Sequence, residues 1–169
     1  MSTPLTGRRK ALFVYLPALL CLGLDQATKT WVRHSLEVGQ VIPVVDHFAI
    51  RHVFNKGAAL SILYGHVGLL ALFSSIVALA VVVYERRKRS FTGFQAAALG
   101  ILLGGTVGNL VDRVWFGRVT DFLDVYVGRH HWPTFNVADI CINLGVALLV
   151  LGSLRHPDAP ETTPEEEPR

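Results

Sequence analysis

Four aspartates are concentrated in the C-terminal half of the chain, at or between two apolar segments: Asp112, Asp121, Asp124 and Asp139. Carboxylates in or beside hydrocarbon are costly, so an ionisable residue at a membrane span marks a functional site. Two carboxylates held close together cannot both ionise easily, and such a pair can share a proton and activate a water. The pattern predicts acid/base hydrolysis. Asp139 is the strongest member because Asn143 lies one helical turn after it, and the residues themselves leave the choice of its partner open.

Other hydrolytic chemistries have weaker support. Lys56 and Ser61 share one segment, but no further feature marks a serine/lysine nucleophile pair. His130 and His131 are adjacent, so their rings point apart, and neither an HExxH motif nor a third ligand accompanies them. We therefore expect no metal and no other cofactor.

The elements that must carry these carboxylates are membrane helices. The 169 residues are 51% hydrophobic and 17% charged, which is too apolar for a soluble chain that by length forms one domain. Spans are predicted over residues 11–31, 67–84, 94–112 and 137–154, within a domain of residues 11–154. Residues 1–10 are expected to be a disordered basic tail, and the Pro- and Glu-rich residues 155–169 a disordered C-terminal tail.

The first span also has an apolar core as short as that of a secretory signal peptide, and Arg8, Arg9 and Lys10 precede it. No A-x-A cleavage site follows, and the residues from Asp25 to Lys29 continue at helical spacing. We therefore predict a retained helix, with a cleaved leader as the alternative.

Positive charge is concentrated at one end of the predicted bundle. Residues 8–10 precede the first span and residues 86–89 fill the connection after the second, whereas the other two connections are sparsely basic. The positive-inside rule places both clusters and both termini in the cytoplasm. Residues 30–66 and 113–135 are then extracytoplasmic. The pI of about 9.1 follows largely from this topology and does not indicate nucleic-acid binding.

The first outer segment contains a strand-like run. Residues 41–54, VIPVVDHFAIRHVF, are rich in β-branched and aromatic residues with period-2 alternation, which predicts a small sheet on the membrane surface. Asn55-Lys56-Gly57 follows, and its ordinary interpretation is a turn. Asn136 likewise has an ordinary interpretation, as the cap of the fourth span.

Polar residues in the spans recur at helical spacing. Asn109 lies four residues after Gly105, and Arg113 four after Asn109, so all three share a face that should look toward protein or a wet cavity. Asp25 and Lys29 are also four apart. They form either a self-satisfying ion pair, or a scaffold that orients neighbouring polar groups or meets a lipid headgroup.

Five short motifs occur in order between residues 25 and 139. They are Asp25-Gln26-x-x-Lys29, Asn55-x-Gly57-Ala58-Ala59, Gly104-Gly105-x-x-Gly108-Asn109-Leu110-x-Asp112-Arg113, Val119-x-Asp121-Phe122 and Phe135-Asn136-x-Ala138-Asp139. Each is weak alone, but the ordered set among four spans is specific. By this set the chain resembles lipoprotein signal peptidase, also called signal peptidase II. It departs from the family pattern at Leu60, where an aromatic residue usually follows the two alanines.

The resemblance implies which residues carry the chemistry. The family's two catalytic aspartates fall in the last two motifs, so the resemblance selects Asp121 and Asp139 over Asp112 and Asp124. Residues implied to contact substrate or to support the dyad are Asp25, Lys29, Asn55, Gly57, Gly105, Asn109, Arg113, Asn136 and Ala138, and spacing adds Asn143. We expect Asp124 to face water, and Asp112 to matter for stability if it pairs locally at its helix end.

The resemblance also implies a fold and a reaction. The fold is membrane α-helical: four transmembrane helices with a small extracytoplasmic β-cradle and a short surface helix. The reaction is removal of the signal peptide from bacterial prolipoproteins, by a cut just before a diacylglyceryl-modified cysteine, without metal or cofactor. The expected partners are lipidated prolipoproteins and membrane lipid, with no nucleic acid, for a monomer in the bacterial cytoplasmic (inner) membrane whose active site faces outward.

Two other functions account for the polar residues less well. A proton- or ion-coupled transporter would line a pathway with intramembrane Asp and Asn residues, but the polar residues here cluster toward the outer ends of the spans. A non-enzymatic membrane scaffold would leave the paired carboxylates without a use.

Overall fold

Four long helices account for most of the computed structural model, which describes residues 5–57 and 65–155. They are α1 (Gly7–Ser35), α2 (Val67–Arg87), α3 (Gly93–Phe116) and α4 (Val137–Arg155). Each is long and apolar enough to cross a membrane, so the predicted membrane α-helical class is confirmed.

Helix α3 is the centre of the bundle, since it packs against each of the other three helices. Its glycines make this possible. A Cβ on Gly105 would lie 2.5 Å from the carbonyl oxygen of Ala138 in α4, and a Cβ on Gly108 would lie 2.5 Å from a carboxylate oxygen of Asp25 in α1. The predicted contact of the Gly105 face with protein is confirmed, because a side chain at Gly105 would collide with the backbone of α4 and one at Gly108 would collide with the Asp25 carboxylate.

A four-stranded antiparallel sheet lies at one end of the bundle. Its strands, in spatial order, are β1 (Val41–Val45), β2 (Phe48–Asn55), β3 (Val119–Val127) and β4 (His130–His131). The predicted sheet is confirmed, and the run of residues 41–54 is a hairpin whose turn contains His47 at a φ of 70°. Strand β3 comes from the second outer segment, which the sequence analysis treats only as a connection. It pairs with β2 so that Val53 lies opposite Asp121.

Helix α1 begins earlier than the predicted span. Residues 7–10, assigned from sequence to a disordered tail, form its first turn, so that assignment is wrong for them. Lys10 is buried there because its ammonium group has partners at the end of α2: it lies 3.2 Å from the Glu85 carboxylate, and it donates at 3.0 Å to the carbonyl oxygen of Lys88, the residue after the helix. This buried ion pair therefore joins α1 to α2 at the end of the bundle opposite the sheet.

Some expectations fall outside the described residues. The short surface helix has no counterpart within residues 5–57 or 65–155, and residues 58–64, which include the departure at Leu60, lie between these ranges. Residues 1–4 and 156–169, which make up most of the two predicted tails, also lie outside them.

Candidate active site

The start of helix α4 brings Asp139 to the sheet end of the bundle. Asn136 precedes the helix, and the two residues hold each other. The Asn136 side-chain oxygen accepts from the Asp139 backbone N–H at 3.0 Å, and Asp139 Oδ2 accepts from the Asn136 backbone N–H at 3.1 Å. This reciprocal pair satisfies N–H groups that a helix start leaves without partners. Asn136 is therefore a helix cap, as its ordinary interpretation predicts.

The same asparagine also reaches the second aspartate. Its Nδ2 donates to Asp121 Oδ1 at 2.7 Å and to Asn109 Oδ1 at 3.2 Å. Asn109, from α3, donates in turn to Asp139 Oδ1 at 2.8 Å. A chain of two side-chain amides thus links the carboxylates of Asp121 and Asp139, which come from different elements.

Strand β3 holds Asp121 at 2% exposure. Asn55, at the end of β2, donates to Asp121 Oδ2 at 2.9 Å, and its own side-chain oxygen accepts from the Gly57 N–H at 2.8 Å. The pKa of Asp121 is raised from 3.8 to about 7, first because burial disfavours its charge and then because Asp139 is nearby. This burial outweighs the two asparagine hydrogen bonds, which favour the ionised form.

The ammonium group of Lys29 is buried behind the carboxylates of Asp121 and Asp139. Lys29 Nζ lies 2.9 Å from Asp25, 2.9 Å from Asn109 Oδ1 and 3.4 Å from Asp112, and the charged side chains are fully buried. Asp25 also accepts from the Ala138 backbone N–H in α4 at 2.9 Å. Both interpretations of the Asp25/Lys29 spacing therefore hold, since the two residues form an ion pair and also hold neighbouring groups in place.

Three asparagines have their amide orientation dictated by an obligatory donor. Lys29 can only donate, so Asn109 must present its oxygen to Lys29 and its nitrogen to Asp139. In the same way a backbone N–H occupies the side-chain oxygen of Asn55 and of Asn136. Each asparagine is thereby left with its NH2 group facing a carboxylate.

Asp112 is one of the four candidate aspartates, but its contacts hold the fold together. Its partners lie on other elements rather than at its own helix end: it accepts from the Thr120 backbone N–H at 2.9 Å and lies 3.4 Å from Arg33. It therefore fixes the start of β3 immediately before Asp121. The sequence analysis misses Arg33 and Thr120. Arg33 lies one turn after Lys29, and this spacing could have revealed it.

A cleft of about 1030 Å³ opens beside the two carboxylates. The predicted site residues on its wall are Asn55, Gly57, Asn109, Arg113, Asp121, Asp139 and Asn143. The other predicted ones, Asp25, Lys29, Gly105, Asn136 and Ala138, pack behind this wall through the contacts given above. Apolar residues that were not predicted as site residues also line the cleft: Val53, Trp132, Phe135, Ile140 and Leu144. The last two are four apart on α4, parallel to Asp139 and Asn143.

Two further polar residues border the carboxylates. Arg113 lies on the cleft, with its guanidinium 3.4 Å from the Asn109 carbonyl oxygen and 3.5 Å from Ser74 Oγ in α2. Asn143 donates to the Asp139 carbonyl oxygen at 2.9 Å. The arrangement can hold a proton on Asp121 and offers a cation beside the two carboxylates. In the described part of the chain, no three His, Cys, Asp or Glu side chains are grouped to hold a metal ion.

The expectation that Asp124 faces water is wrong. Its exposure is 1%, and both carboxylate oxygens lie near His131 Nδ1, at 2.9 and 3.1 Å. A strand residue with an acidic side chain gives no local sign of a partner seven residues later, so the sequence analysis could not find this contact.

The bundle and its carboxylate-bearing cleft define a membrane-embedded enzyme. A solved structure described as a bacterial membrane enzyme, determined by the in meso method at 2.3 Å resolution, superposes with a TM-score of 0.80. It is 27% identical, and the match covers 100% of this chain and 99% of that one. A second structure of the same description, at 1.9 Å resolution, has a TM-score of 0.74, with 31% identity over 83% of this chain and 91% of that one.

Sequence comparisons identify the family to which this membrane enzyme belongs. The family model for signal peptidase (SPase) II matches residues 17–155, and the chain belongs to that family. The lipoprotein signal peptidase of Geobacter sulfurreducens is 46% identical over 138 residues, 79% of this chain and 86% of that protein. That of Azoarcus sp. (strain BH72) is 38% identical over 170 residues, 94% of this chain and 95% of that protein. The protein is thus a multi-pass bacterial membrane peptidase that removes signal peptides from prolipoproteins.

Proposed function

We propose that the protein is an aspartic endopeptidase in which Asp121 and Asp139 activate a water, and that it cuts just before the diacylglyceryl-modified cysteine. The observation that carries this proposal is the placement of both carboxylates on one cleft, joined through Asn109 and Asn136. The pKa of Asp121, raised to about 7, supports a carboxyl group that still holds its proton near neutral pH.

The two carboxyl groups then have opposite tasks. Protonated Asp121 donates its proton to the carbonyl oxygen of the scissile peptide bond, while ionised Asp139 takes a proton from the water that bonds to the carbonyl carbon. In the second step Asp139 gives this proton to the amide nitrogen and the C–N bond breaks. Asp121 regains a proton from a hydroxyl of the gem-diol intermediate, which leaves a carboxylic acid and the free amine of the cysteine.

The neighbouring residues keep this pair in one geometry. Asn55 and Asn136 donate to the two oxygens of Asp121, and Asn109 donates to Asp139, so neither carboxylate is free to rotate. A preorganised site does not have to reorganise during the reaction. Arg113, on the same wall, is placed to offset the negative charge of the pair.

A cleavage assay with a lipidated precursor peptide in detergent tests the dyad. Asp121→Asn and Asp139→Asn should each lower turnover by about 10³-fold or more, and the double variant should lose little beyond either single one, because the pair works as a unit. Asp46→Asn removes an exposed carboxylate from the same sheet and serves as the matched control. Near-normal cleavage by a folded single variant would disprove the mechanism.

The lipid on the substrate should matter for positioning. Ile140 and Leu144 line the cleft on a membrane helix, beside Asp139. Acyl chains that remain in the bilayer would hold the scissile bond at the carboxylates, so their binding energy would be used in the chemical step. A diacylglyceryl precursor should therefore be cut far faster than the same peptide without lipid. Equal rates for the two peptides would contradict this part of the proposal.

We also propose that both termini are cytoplasmic and that the cleft faces the extracytoplasmic side, because the dense basic clusters lie at the end of the bundle opposite the sheet. Single cysteines at Ser35 and Ser90, in a background without Cys21 and Cys141, report on this. An impermeant thiol reagent added to cells with a permeabilised outer barrier should label position 35 and spare position 90. Labelling of position 90 with position 35 spared would contradict this topology.

A further inference from the structure

A second carboxylate on strand β3 is buried but does not line the cleft. Asp124 lies three residues after Asp121 and is 1% exposed. A buried charge needs a partner, and here the partner is the imidazole of His131, whose Nδ1 lies 2.9 and 3.1 Å from the two carboxylate oxygens. An Nδ1–H donor on His131 matches the acceptor oxygens of this carboxylate.

His131 immediately precedes one wall of the cleft. The next four residues, Trp132 to Phe135, all line the cleft, and Asn136 then donates to Asp121. We call residues 131–135 the return segment, since they lead from the sheet back to α4. The geometry of this segment therefore sets the shape of the cleft, whereas Asn136 is held separately by its reciprocal hydrogen bonds with Asp139.

Backbone contacts tie the return segment to the sheet at its two ends. At the first end, His131 pairs with Tyr126, and the Trp132 N–H donates to the Val125 carbonyl oxygen at 2.8 Å. At the other end, the Phe135 N–H donates to the Leu123 carbonyl oxygen at 3.1 Å, and the Phe135 carbonyl oxygen accepts from the N–H groups of Phe122 and Leu123 at 2.9 and 2.8 Å. These are all contacts of the backbone. The contact between Asp124 and His131 adds a charge-assisted side-chain anchor at the first residue of the segment.

The anchor is itself held in place. The His131 ring stacks on Tyr126 with ring centroids 5.0 Å apart and planes at 27°. Tyr126 in turn meets His47 edge-on at 6.4 Å, and its carbonyl oxygen lies 3.1 Å from His47 Nδ1. The ring of His131 is thus fixed on one face by an aromatic neighbour and at Nδ1 by Asp124, although its side chain is 45% exposed.

We propose that Asp124 and His131 are positioning residues that hold the return segment in the conformation that binds the peptide substrate. This rests on the proposed function only in that the cleft is where the peptide binds. Neither residue touches the reacting atoms. Their loss should therefore weaken substrate binding and leave the chemical step largely intact.

The test compares kinetic constants for the lipidated peptide in four variants. Asp124→Asn and His131→Leu should raise KM by about tenfold while kcat stays within about twofold, as expected when a charge-assisted hydrogen bond that orders a binding wall is lost. His131→Gln retains a donor that can reach Asp124 and should recover most of the affinity. His130→Leu changes the adjacent exposed histidine and is the matched control.

A second readout does not require cleavage. With Trp31 and Trp115 replaced by phenylalanine, the fluorescence anisotropy of Trp132 reports on the mobility of the return segment. His131→Leu should lower this anisotropy and His130→Leu should not, even if the proposed dyad chemistry were wrong. If Asp124→Asn does not fold, the surface variant His131→Leu decides alone. Unchanged anisotropy and unchanged KM in folded His131→Leu would overturn the proposal, as would a fall in kcat with KM unaltered.

Discussion

Replacing Asp121 by asparagine should make the stability of the protein less dependent on pH between pH 5 and pH 8. The folded protein raises the pKa of Asp121 from 3.8 to about 7, through burial and the nearby Asp139. Between these two values the folded chain holds a proton that the unfolded chain has released. Stability is therefore lost as the pH rises toward 7, because the folded state must then bury a charge.

The magnitude follows from the pKa shift and from the hydrogen bonds. For a carboxyl group shifted this far, linkage gives a loss of roughly 2–3 kcal/mol between pH 5 and pH 8. Asparagine does not titrate and avoids this loss. It does, however, place an NH2 group against the NH2 of Asn55, and two opposed donors cost about 1–3 kcal/mol at every pH. The free energy of unfolding of the variant, taken relative to that of the wild type, should thus rise by roughly 2–3 kcal/mol from pH 5 to pH 8.

Thermal unfolding in detergent at pH 5, 6, 7 and 8 measures this difference. For a chain of this length 1 kcal/mol corresponds to about 2–4 °C in Tm, so the Tm of Asp121→Asn should rise relative to wild type by about 5–10 °C across the range. Asp46→Asn, on the exposed turn of the same sheet, is the control for general charge effects. A difference in Tm that stays constant from pH 5 to pH 8 would refute the argument, since Asp121 would then be ionised throughout.

Two further variants test the packing behind the site. Gly105→Val should destabilise the bundle by about 3 kcal/mol or more, because its Cβ would lie 2.5 Å from the Ala138 carbonyl oxygen, whereas Gly23→Val meets nothing within 4 Å at its Cβ and should be near neutral in a melting experiment. Lys29→Met should cost about 3–5 kcal/mol, since it leaves Asp25 buried without its cation. A Lys29→Met protein that melts like wild type would show that the buried carboxylate has found another partner.

The extent of the sheet shows where prediction from the sequence stopped. The run of residues 41–54 has the alternation and composition of strands, and it forms strands. Strand β3 has a similar alternation, but Asp121 and Asp124 lower its strand propensity. The sequence therefore predicts only a connection there. Its conformation is decided by pairing with β2, more than 60 residues away in the chain, where Val53 lies opposite Asp121.

Asp112 and Asp124 show the same limit for side chains. Spacing in the sequence favours Asp139, but it does not separate Asp112, Asp121 and Asp124 as its partner, and only a family resemblance selects Asp121. In the structure Asp112 holds the backbone of Thr120, and Asp124 is buried against His131. The burial of a carboxylate depends on which partner the fold brings to it, and no local pattern records that partner.

The sequence by itself determined the membrane class, the four helices and the faces that their polar residues share. These features repeat over a few residues, because a bilayer requires long apolar runs and a helix places residues four apart on one side. The placement of Asp121 and Asp139 on one cleft is decided only by the tertiary structure. So is the orientation of the asparagines that serve them, because each amide is set by a donor such as Lys29. That donor lies 80 residues from Asn109 in the chain, and only folding makes them neighbours.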